Sequence, residues 1–278
     1  MHDNFNQNQY PECDHAKHTC AFFSDEGQLE QLRWYDYWLK GIDTGVMNEP
    51  PVKVWLRRGP DGGEFRFFDD WPIPGTEWRR YYLTTDNAGM VPESLNDGLL
   101  SVAPTPAQTT VSYPTGPEAI SRTLHRGEPT LSFVTEPMKK NEKVIGPVVL
   151  KLWVSSETDD MDVFAHFLDM APDGTVDELS DGWLKLSHRR LDPGLSQPFR
   201  PYHSHDREDK LVPGEVYDAE VEIWPIAQEF REGHRIRLDI APYGPGFFRH
   251  ARYKLGPANT ILMGGTTASY LQLPIAPE

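Results

Sequence analysis

The chain has 278 residues, of which 42 are acidic and 27 are basic, and its formal net charge is −15. This length is sufficient for one large or two medium domains with a substantial hydrophobic core. The acidic surplus and the lack of a concentrated basic segment exclude nucleic-acid binding through phosphate contacts. The 25 prolines and 22 glycines indicate a turn-rich, mainly β protein with few long helices.

The N-terminal residues MHDNFNQNQYPEC are polar and contain no apolar segment of the kind found in secretory signals. No apolar run reaches the roughly 18 residues that a membrane-spanning helix needs. We therefore predict a soluble, cytoplasmic protein that does not bind membranes. Its two cysteines cannot form a disulfide framework for a chain of this size, and a cytosolic setting would keep them reduced.

Four residues with metal-ligating side chains lie close together near the N-terminus, namely Cys13, His15, His18 and Cys20. These residue types suit tetrahedral zinc, but structural zinc sites usually join two pairs of ligands across a longer loop. Four ligands in so short a segment would strain the backbone, and a disordered chain end is the simpler interpretation. We predict no metal ion and no cofactor for this chain.

A helix is predicted from Asp25 to Lys40. Leu29, Leu32, Tyr35 and Leu39 recur at helical spacing in this segment, and Gly41 follows as a C-terminal stop signal. The next segment, GIDTGVMNEPP, is rich in glycine and proline and indicates a linker. We place a domain boundary near residue 46.

Strand-like segments follow at short spacing and are bounded by turn residues. They are VKVWLRR from Val52, RYYLTT from Arg80, LSFVTE from Leu131, VVLKLWVSS from Val148, DVFAHFLDM from Asp162, VYDAEVEIW from Val216 and HRIRLDI from His234. The last two alternate apolar and polar residues, which is typical of half-buried strands. Because no helical segment separates the strands, we predict antiparallel pairing in a β-sandwich of jelly-roll type.

Two long irregular connections are predicted, at residues 86–130 and 191–213, and such loops are usually functional or cover a partner surface. His203 and His205 lie in the second loop, and we assign them to packing and hydrogen bonding rather than to metal binding. Asp159, Asp160 and Asp162 are predicted to form a solvated turn and strand edge. Trp153, Trp183 and Trp224 are interpreted as core or inter-domain contacts, with ligand stacking as the alternative.

Eight stretches of the chain match one protein family in order and spacing. They are LRWYDYWLKGIDTG, DDWPIPGTEWRRYYL, GPVVLKLWVSS, DGWLKLSHRRLD, FRPYHSHD, LVPGEVYDAEVEIWP, FREGHRIRLDI and SYLQLPI. From about His18 to the end, the chain resembles the C-terminal half of the CocE/NonD serine hydrolases, the cocaine esterase and Xaa-Pro dipeptidyl-peptidase family.

The resemblance implies a division of the chain into two parts. Residues 1–46 are similar to the C-terminal end of an α/β-hydrolase domain, whose last helix corresponds to the predicted helix at about residues 25–40. Residues 47–278 are similar to the family's C-terminal β-sandwich, which is a jelly roll of galactose-binding-like form.

The family's serine nucleophile lies on a Gly-x-Ser-x-Gly elbow or on a Gly-x-Ser-x-x-Gly variant of it, and neither pattern occurs in this chain. The nearest match, around Ser196, is GLSQP, which lacks the second glycine. By resemblance, His18 is the candidate triad histidine, whereas the serine and aspartate of the triad lie outside this chain. A histidine without these partners performs no acyl-transfer chemistry. We predict that the isolated chain is inactive.

Two functions are consistent with the sequence. In the first, the chain is the largely non-catalytic C-terminal portion of a serine hydrolase that cleaves esters or amides, and its sandwich supports and walls the active site. The partner would be a separate or missing α/β-hydrolase half, or a second copy that self-associates through helix 25–40. The alternative is a freestanding β-sandwich module that binds carbohydrate or protein, although fold alone is weak evidence for that function.

Overall fold

The structure is a computed structural model that describes residues 25–59, 62–116, 119, 121–122, 127–244 and 258–277. Its elements are one helix, α1 (Asp25–Lys40), and strands β1 (Val52–Arg57), β2 (Gly63–Phe68), β3 (Glu77–Leu83), β4 (Asp97–Ser101), β5 (Thr109–Tyr113), β6 (Leu131–Val134), β7 (Glu142–Ser156), β8 (Asp162–Met170), β9 (Val176–Lys185), β10 (Tyr217–Phe230), β11 (Arg235–Ala241), β12 (Asn259–Met263) and β13 (Tyr270–Ile275). Short 3-10 helices occupy Val46–Asn48 and Leu186–His188. The predicted mainly β fold is confirmed. No helix in these ranges is long and apolar enough to cross a membrane.

Helix α1 begins and ends at the residues predicted from the sequence. Gly41 follows it with a φ of 69°, a left-handed conformation that glycine adopts without steric cost. The amides of Gly41 and Ile42 donate to the carbonyls of Tyr37 and Asp36 at 3.2 and 3.1 Å, respectively. These hydrogen bonds satisfy carbonyl groups that the end of a helix otherwise leaves unpaired.

The strands join in one hydrogen-bonded sheet with the order β2-β1-β10-β9-β8-β11-β6-β4-β3-β13-β7-β12-β5. An additional pairing between β10 and β7 closes this sheet on itself. That pairing extends from Tyr217 opposite Val154 to Phe230 opposite Glu142. The described strands therefore form a single closed sheet around one interior.

The interior contains the large hydrophobic core, to which strands all around the closed sheet contribute side chains. Its members include Leu83, Phe133, Leu150, Phe167, Phe230, Leu238 and Leu271, each at most 1% exposed. On β10 the predicted alternation is confirmed, because Ala219, Val221 and Ile223 are buried while Asp218 is exposed. The alternating pattern thus directs one face of the strand into the core.

The prediction of antiparallel pairing is wrong for two pairs of strands. β1 and β10 run parallel and meet at Arg57 and Gln228. β4 and β6 are also parallel, with Asp97 opposite Ser132. Parallel pairs are not expected from the sequence, because no predicted helix connects the strands. However, the connection between β4 and β6 includes β5, and it returns the chain in the same direction without a helix.

The connection at residues 86–130 is less irregular than predicted, because β4 and β5 lie within it. Met90 and Val91 from this connection pack with Val134 and Met170 in a second small apolar cluster. β11, predicted to be half-buried, is instead buried on both faces for most of its length. The other long connection, 191–213, contains only isolated bridges, as predicted.

Candidate functional site

One side of α1 carries large apolar side chains that remain open to solvent. Their exposed fractions range from 48% to 77%, and they belong to Leu29, Leu32, Trp34, Tyr35, Trp38 and Leu39. The Trp34 and Trp38 rings lie 5.8 Å apart, and Tyr37 meets Trp38 edge-on at 5.2 Å. A contiguous apolar patch of this kind is typical of a protein–protein contact surface.

The opposite, polar side of α1 faces the β domain. Arg33 binds the carboxylate of Glu49 at 2.5 Å, and Glu30 accepts a hydrogen bond from Lys53 of β1 at 3.0 Å. The Thr44 hydroxyl also donates to the carbonyl of Arg33 at 3.1 Å. These polar contacts hold the helix so that its apolar side points away from the closed sheet.

The N-terminal residues singled out from the sequence lie outside the described residues. These are the candidate triad histidine His18 and the possible zinc ligands Cys13, His15 and Cys20, so their assignments stay predictions. Ser196, the nearest match to a nucleophile elbow, accepts a hydrogen bond from the amide of Tyr202 at 3.0 Å. It lies in the irregular 191–213 loop, without the strand-to-helix turn that exposes a nucleophile.

The structure brings His188 next to the predicted pair His203 and His205. The Nδ1 atoms of His188 and His205 are 3.3 Å apart, and the His203 and His205 rings are 5.9 Å apart. His203 donates from Nε2 to the carbonyl of Glu220 at 2.9 Å. Burial lowers the pKa of His203 and keeps its ring neutral near pH 7. These hydrogen bonds agree with the packing role predicted for the pair.

The prediction of a solvated acidic turn is wrong for Asp160, which is 5% exposed. Its Oδ1 accepts from the amides of Met161 and Ser187, each at 3.0 Å, and its Oδ2 binds Lys210 at 3.0 Å. The tryptophan interpretation also changes, because Trp183 and Trp224 are 41% and 64% exposed. A core role is therefore excluded for these two tryptophans.

A row of polar side chains crosses four adjacent strands on the outer face of the sheet. Ser132 of β6 is opposite Asp239 of β11, Asp239 is opposite His166 of β8, and His166 is opposite Asp181 of β9. His166 Nδ1 lies 2.8 Å from Oε1 of Glu178, which also belongs to β9. Five polar residues from distant parts of the sequence therefore lie on one face of the sheet.

This row contains a serine, a histidine and an aspartate, but its geometry excludes a catalytic triad. In a triad the histidine lies between the serine and the aspartate. Here Ser132 donates directly to Asp239 at 2.7 Å, and Ser132 is fully buried. Arg237 binds both carboxylate oxygens of Asp239 at 2.8 and 2.9 Å. The aspartate is thus held by an arginine and a serine rather than by the histidine.

The row is electrostatically negative around His166. Burial acts to lower the pKa of His166, but the hydrogen bond to Glu178 and the nearby charges of Glu178, Asp239 and Asp181 raise it above its usual value. The imidazole therefore lies in a field that favours a bound positive charge.

Next to this row is a groove of about 770 Å³. Trp55, Trp71 and Trp224 contribute to its largely apolar lining, and Glu178 and Asp181 lie at its polar side. The groove forms where β1 and β9 diverge from β10, to which each is joined at a single residue pair. It is large enough for a small organic ligand or for a side chain of a partner protein.

Comparison with known proteins gives a consistent result over most of the chain. Residues 44–272 match the X-Pro dipeptidyl-peptidase C-terminal non-catalytic domain. A protein of Mycobacterium tuberculosis named "Putative serine esterase" is 30% identical over 248 residues, which cover 79% of this chain and 36% of the relative. The cocaine esterase of a Rhodococcus species is 25% identical over 229 residues, which cover 75% of this chain and again 36% of the relative. The chain therefore spans about a third of the length of these relatives.

The solved structures show the same partial coverage. A CocE/NonD family hydrolase from Staphylococcus aureus superposes with a TM-score of 0.73 at 25% identity, over 92% of this chain and 47% of the hydrolase. An α-amino acid ester hydrolase superposes with a TM-score of 0.57 at 17% identity, which shows similarity of fold alone. In each case the present chain corresponds to less than half of the known structure.

Proposed function

The chain belongs to the CocE/NonD family through its X-Pro dipeptidyl-peptidase C-terminal non-catalytic domain, and from this premise we propose that it is the accessory part of a two-part serine hydrolase. The intact assembly would hydrolyse esters or amides, with the nucleophile supplied by an α/β-hydrolase half. The observation that carries this proposal is the exposed apolar side of α1.

The energetics of α1 support docking onto a catalytic half. Most of the stability of a short helix comes from burying its apolar face rather than from helix propensity. Burying each large apolar side chain contributes about 1.5–3 kcal/mol, and Leu32, Trp38 and Leu39 are all at least half exposed. A partner surface that covers this side would therefore stabilise the helix substantially.

We further infer that the β domain walls the substrate pocket of the assembly. Strand β1 carries Lys53, which binds α1, and also Trp55, which lines the groove. A catalytic half docked on α1 would therefore lie near the groove, and the groove would complete its pocket. In this proposal the closed sheet is a flattened jelly-roll sandwich of galactose-binding-like form, with a domain boundary near residue 46 between α1 and the sandwich.

The test is reconstitution with a catalytic half. The N-terminal segment of the M. tuberculosis relative, ending where its similarity to this chain begins, is purified and mixed with the full chain. We expect a one-to-one complex by light scattering and faster hydrolysis of p-nitrophenyl esters than by the segment alone. The double variant Leu32→Ser/Leu39→Ser should abolish both effects, because it removes apolar area from the contact surface.

The matched control is Val102→Ser/Leu195→Ser, which alters exposed apolar residues outside α1. This control should form the complex as the wild type does. Equal loss of complex in both double variants would contradict docking through α1. A symmetric dimer of the chain that dissociates only in the helix variant would instead show that a second copy covers α1.

A second candidate is a freestanding module that binds carbohydrate or protein. The exposed Trp224 in the groove favours it, because a tryptophan face is well suited to stacking on a ligand. This function predicts saturable ligand binding that Trp224→Ala abolishes and Leu32→Ser/Leu39→Ser leaves unchanged. The accessory function instead predicts that Leu32→Ser/Leu39→Ser abolishes the complex with the catalytic half.

A further inference from the structure

Three side chains that commonly bind metal ions converge at the edge of the groove. His166, Glu178 and Asp181 each offer one ligand atom, and these atoms all lie within 4.8 Å of one another. Among the described residues this is the one group of three or more histidine, cysteine or acidic side chains with such spacing. Within the group, His166 Nδ1 and Glu178 Oε1 lie 2.8 Å apart.

We propose that His166, Glu178 and Asp181 form a binding site for a divalent transition metal ion, with Zn²⁺ as the probe. One imidazole nitrogen with two carboxylate oxygens is a ligand set that zinc accepts in proteins. The imidazole favours a transition metal over Ca²⁺ and Mg²⁺, which prefer ligand sets made of oxygen atoms.

The backbone of β9 is built in a way that brings the two carboxylates together. Glu178 and Asp181 are three residues apart, and in a regular strand such residues point to opposite faces of the sheet. The pairing of β8 with β9 is irregular here, because Phe167 is opposite Ser180 whereas the next residue, Leu168, is opposite Glu178. This bulge adds one residue to β9 and turns Glu178 to the side of Asp181 and His166.

The charges around His166 suit a divalent cation. Glu178 and Asp181 contribute two carboxylates directly at the imidazole. The third nearby carboxylate, Asp239, already accepts hydrogen bonds from Arg237 and Ser132, so it acts as a neighbouring charge rather than as a ligand. The carboxylates of Glu178 and Asp181 would both attract a divalent ion bound next to the imidazole.

The site also leaves room for further ligands of the metal. Side-chain exposure is 17% for His166 and 56% for Glu178, so the imidazole is held in the surface while the carboxylate reaches solvent. Glu178 and Asp181 line the groove together with Trp224. The remaining coordination positions would therefore face the groove and hold water, as in open metal sites.

The test is calorimetric titration of the full chain with ZnCl₂ after treatment with a chelator, near neutral pH. We expect saturable binding of one Zn²⁺ that is at least about tenfold weaker in His166→Asn, a loss comparable to those seen when metal sites are perturbed. The Glu178→Gln/Asp181→Asn variant should abolish it. Ca²⁺ and Mg²⁺ should bind much more weakly than Zn²⁺.

Two controls separate this site from the other histidine and cysteine groups. Cys13→Ser/Cys20→Ser removes the thiols near the N-terminus, and His188→Asn/His205→Asn removes the histidine pair of the 191–213 loop. Neither should change the affinity of the His166 site. Melting curves show which variants fold, and a second measurement needs no variant, because paramagnetic Mn²⁺ should selectively broaden the imidazole NMR signals of His166 in the wild-type chain.

The proposal is overturned by any of three results. The first is the absence of saturable Zn²⁺ binding, and the second is Zn²⁺ binding that His166→Asn leaves unchanged in a folded variant. The third is broadening of other histidines while the His166 signals stay sharp. The site is independent of docking through α1, so failure of reconstitution with a catalytic half would not affect it.

Discussion

Arg33 binds Glu49 across the turn between α1 and the β domain, with 2.5 Å between Nη2 and Oε1. The same guanidinium also binds Glu30 on the helix at 2.9 Å. Arg33 is therefore the centre of the polar contacts that orient α1 and keep its apolar side outward. Orientation of the exposed surface depends on a few ion pairs rather than on a buried interface.

We expect Arg33→Gln to loosen α1 without affecting the closed sheet. Loss of the ion pairs with Glu30 and Glu49 should raise amide hydrogen exchange in α1 while exchange in the β-strands stays unchanged. The matched control is Lys40→Gln. Among the ion pairs of the described residues, Lys40 forms one only with Asp36 of the same helix, at 2.6 Å. Similar exchange in both variants would contradict the role of Arg33 as a tether.

The isolated chain should not hydrolyse p-nitrophenyl esters or an Xaa-Pro-anilide, and a fluorophosphonate probe should label none of its serines. Ser196 hydrogen-bonds to the backbone of its own loop, and Ser132 is buried and donates to Asp239. Neither serine has a histidine base in hydrogen-bonding contact. The controls are the His18→Ala chain and an active esterase treated with the same probe. Labelling of any serine, or turnover that survives His18→Ala, would show that the chain contains a nucleophile of its own.

Gly182→Ala should lower the free energy of unfolding by about 1–3 kcal/mol, as overpacking does in other proteins. Gly182 lies where β9 meets β10, and an added Cβ would be 2.2 Å from the carbonyl oxygen of Glu222. The two strands must separate to accommodate the added methyl group, which widens the contact between β9 and β10 beside the groove. Urea denaturation measures the loss. Gly62→Ala is the control, because an added Cβ there meets nothing within 4 Å.

Local sequence patterns predict the elements whose residues carry a clear periodicity. Helix α1 and strand β8 have the predicted bounds, because regular spacing of apolar residues and clear turn residues mark them. Strand β9 was missed because its sequence, VDELSDGWLK, is polar and lacks a continuous alternation. Its place in the sheet is fixed by pairing with β8, which no local pattern reveals.

The candidate metal site was missed for a related reason. His166 is separated from Glu178 by the β8–β9 turn, so the ligands show no motif spacing, and the bulge that aligns Glu178 with Asp181 arises only in the paired strands. Similarly, Arg237 and Asp239 read as exposed polar residues of an alternating strand. They are 8% and 9% exposed and form a buried ion pair with each other, which an alternating pattern does not reveal.

Asp160 provides a test of how buried charge couples to pH. Burial acts to raise its pKa, but hydrogen bonds from Lys210 and Ser187, the nearby charge of Lys185 and the amide of Met161 together lower the pKa below its usual value. A carboxyl group whose pKa is lower in the folded than in the unfolded chain stabilises the fold above its unfolded pKa. This contribution is lost as the pH falls through about 4 toward the lower folded value.

Asp160→Asn should therefore lower the free energy of unfolding by about 1–3 kcal/mol at neutral pH, because it removes the charge that binds Lys210. The difference between the wild type and the variant should shrink as the pH falls below about 4, since the wild-type carboxylate then becomes protonated. Urea denaturation at a series of pH values measures this difference, and protonation of other carboxylates cancels in it. Asp69→Asn, at an exposed position, should show no such difference at any pH. A difference for Asp160→Asn that stays constant down to pH values where the chain unfolds would mean that the carboxylate charge does not stabilise the contact between the β7–β8 turn and the loop that carries Lys210.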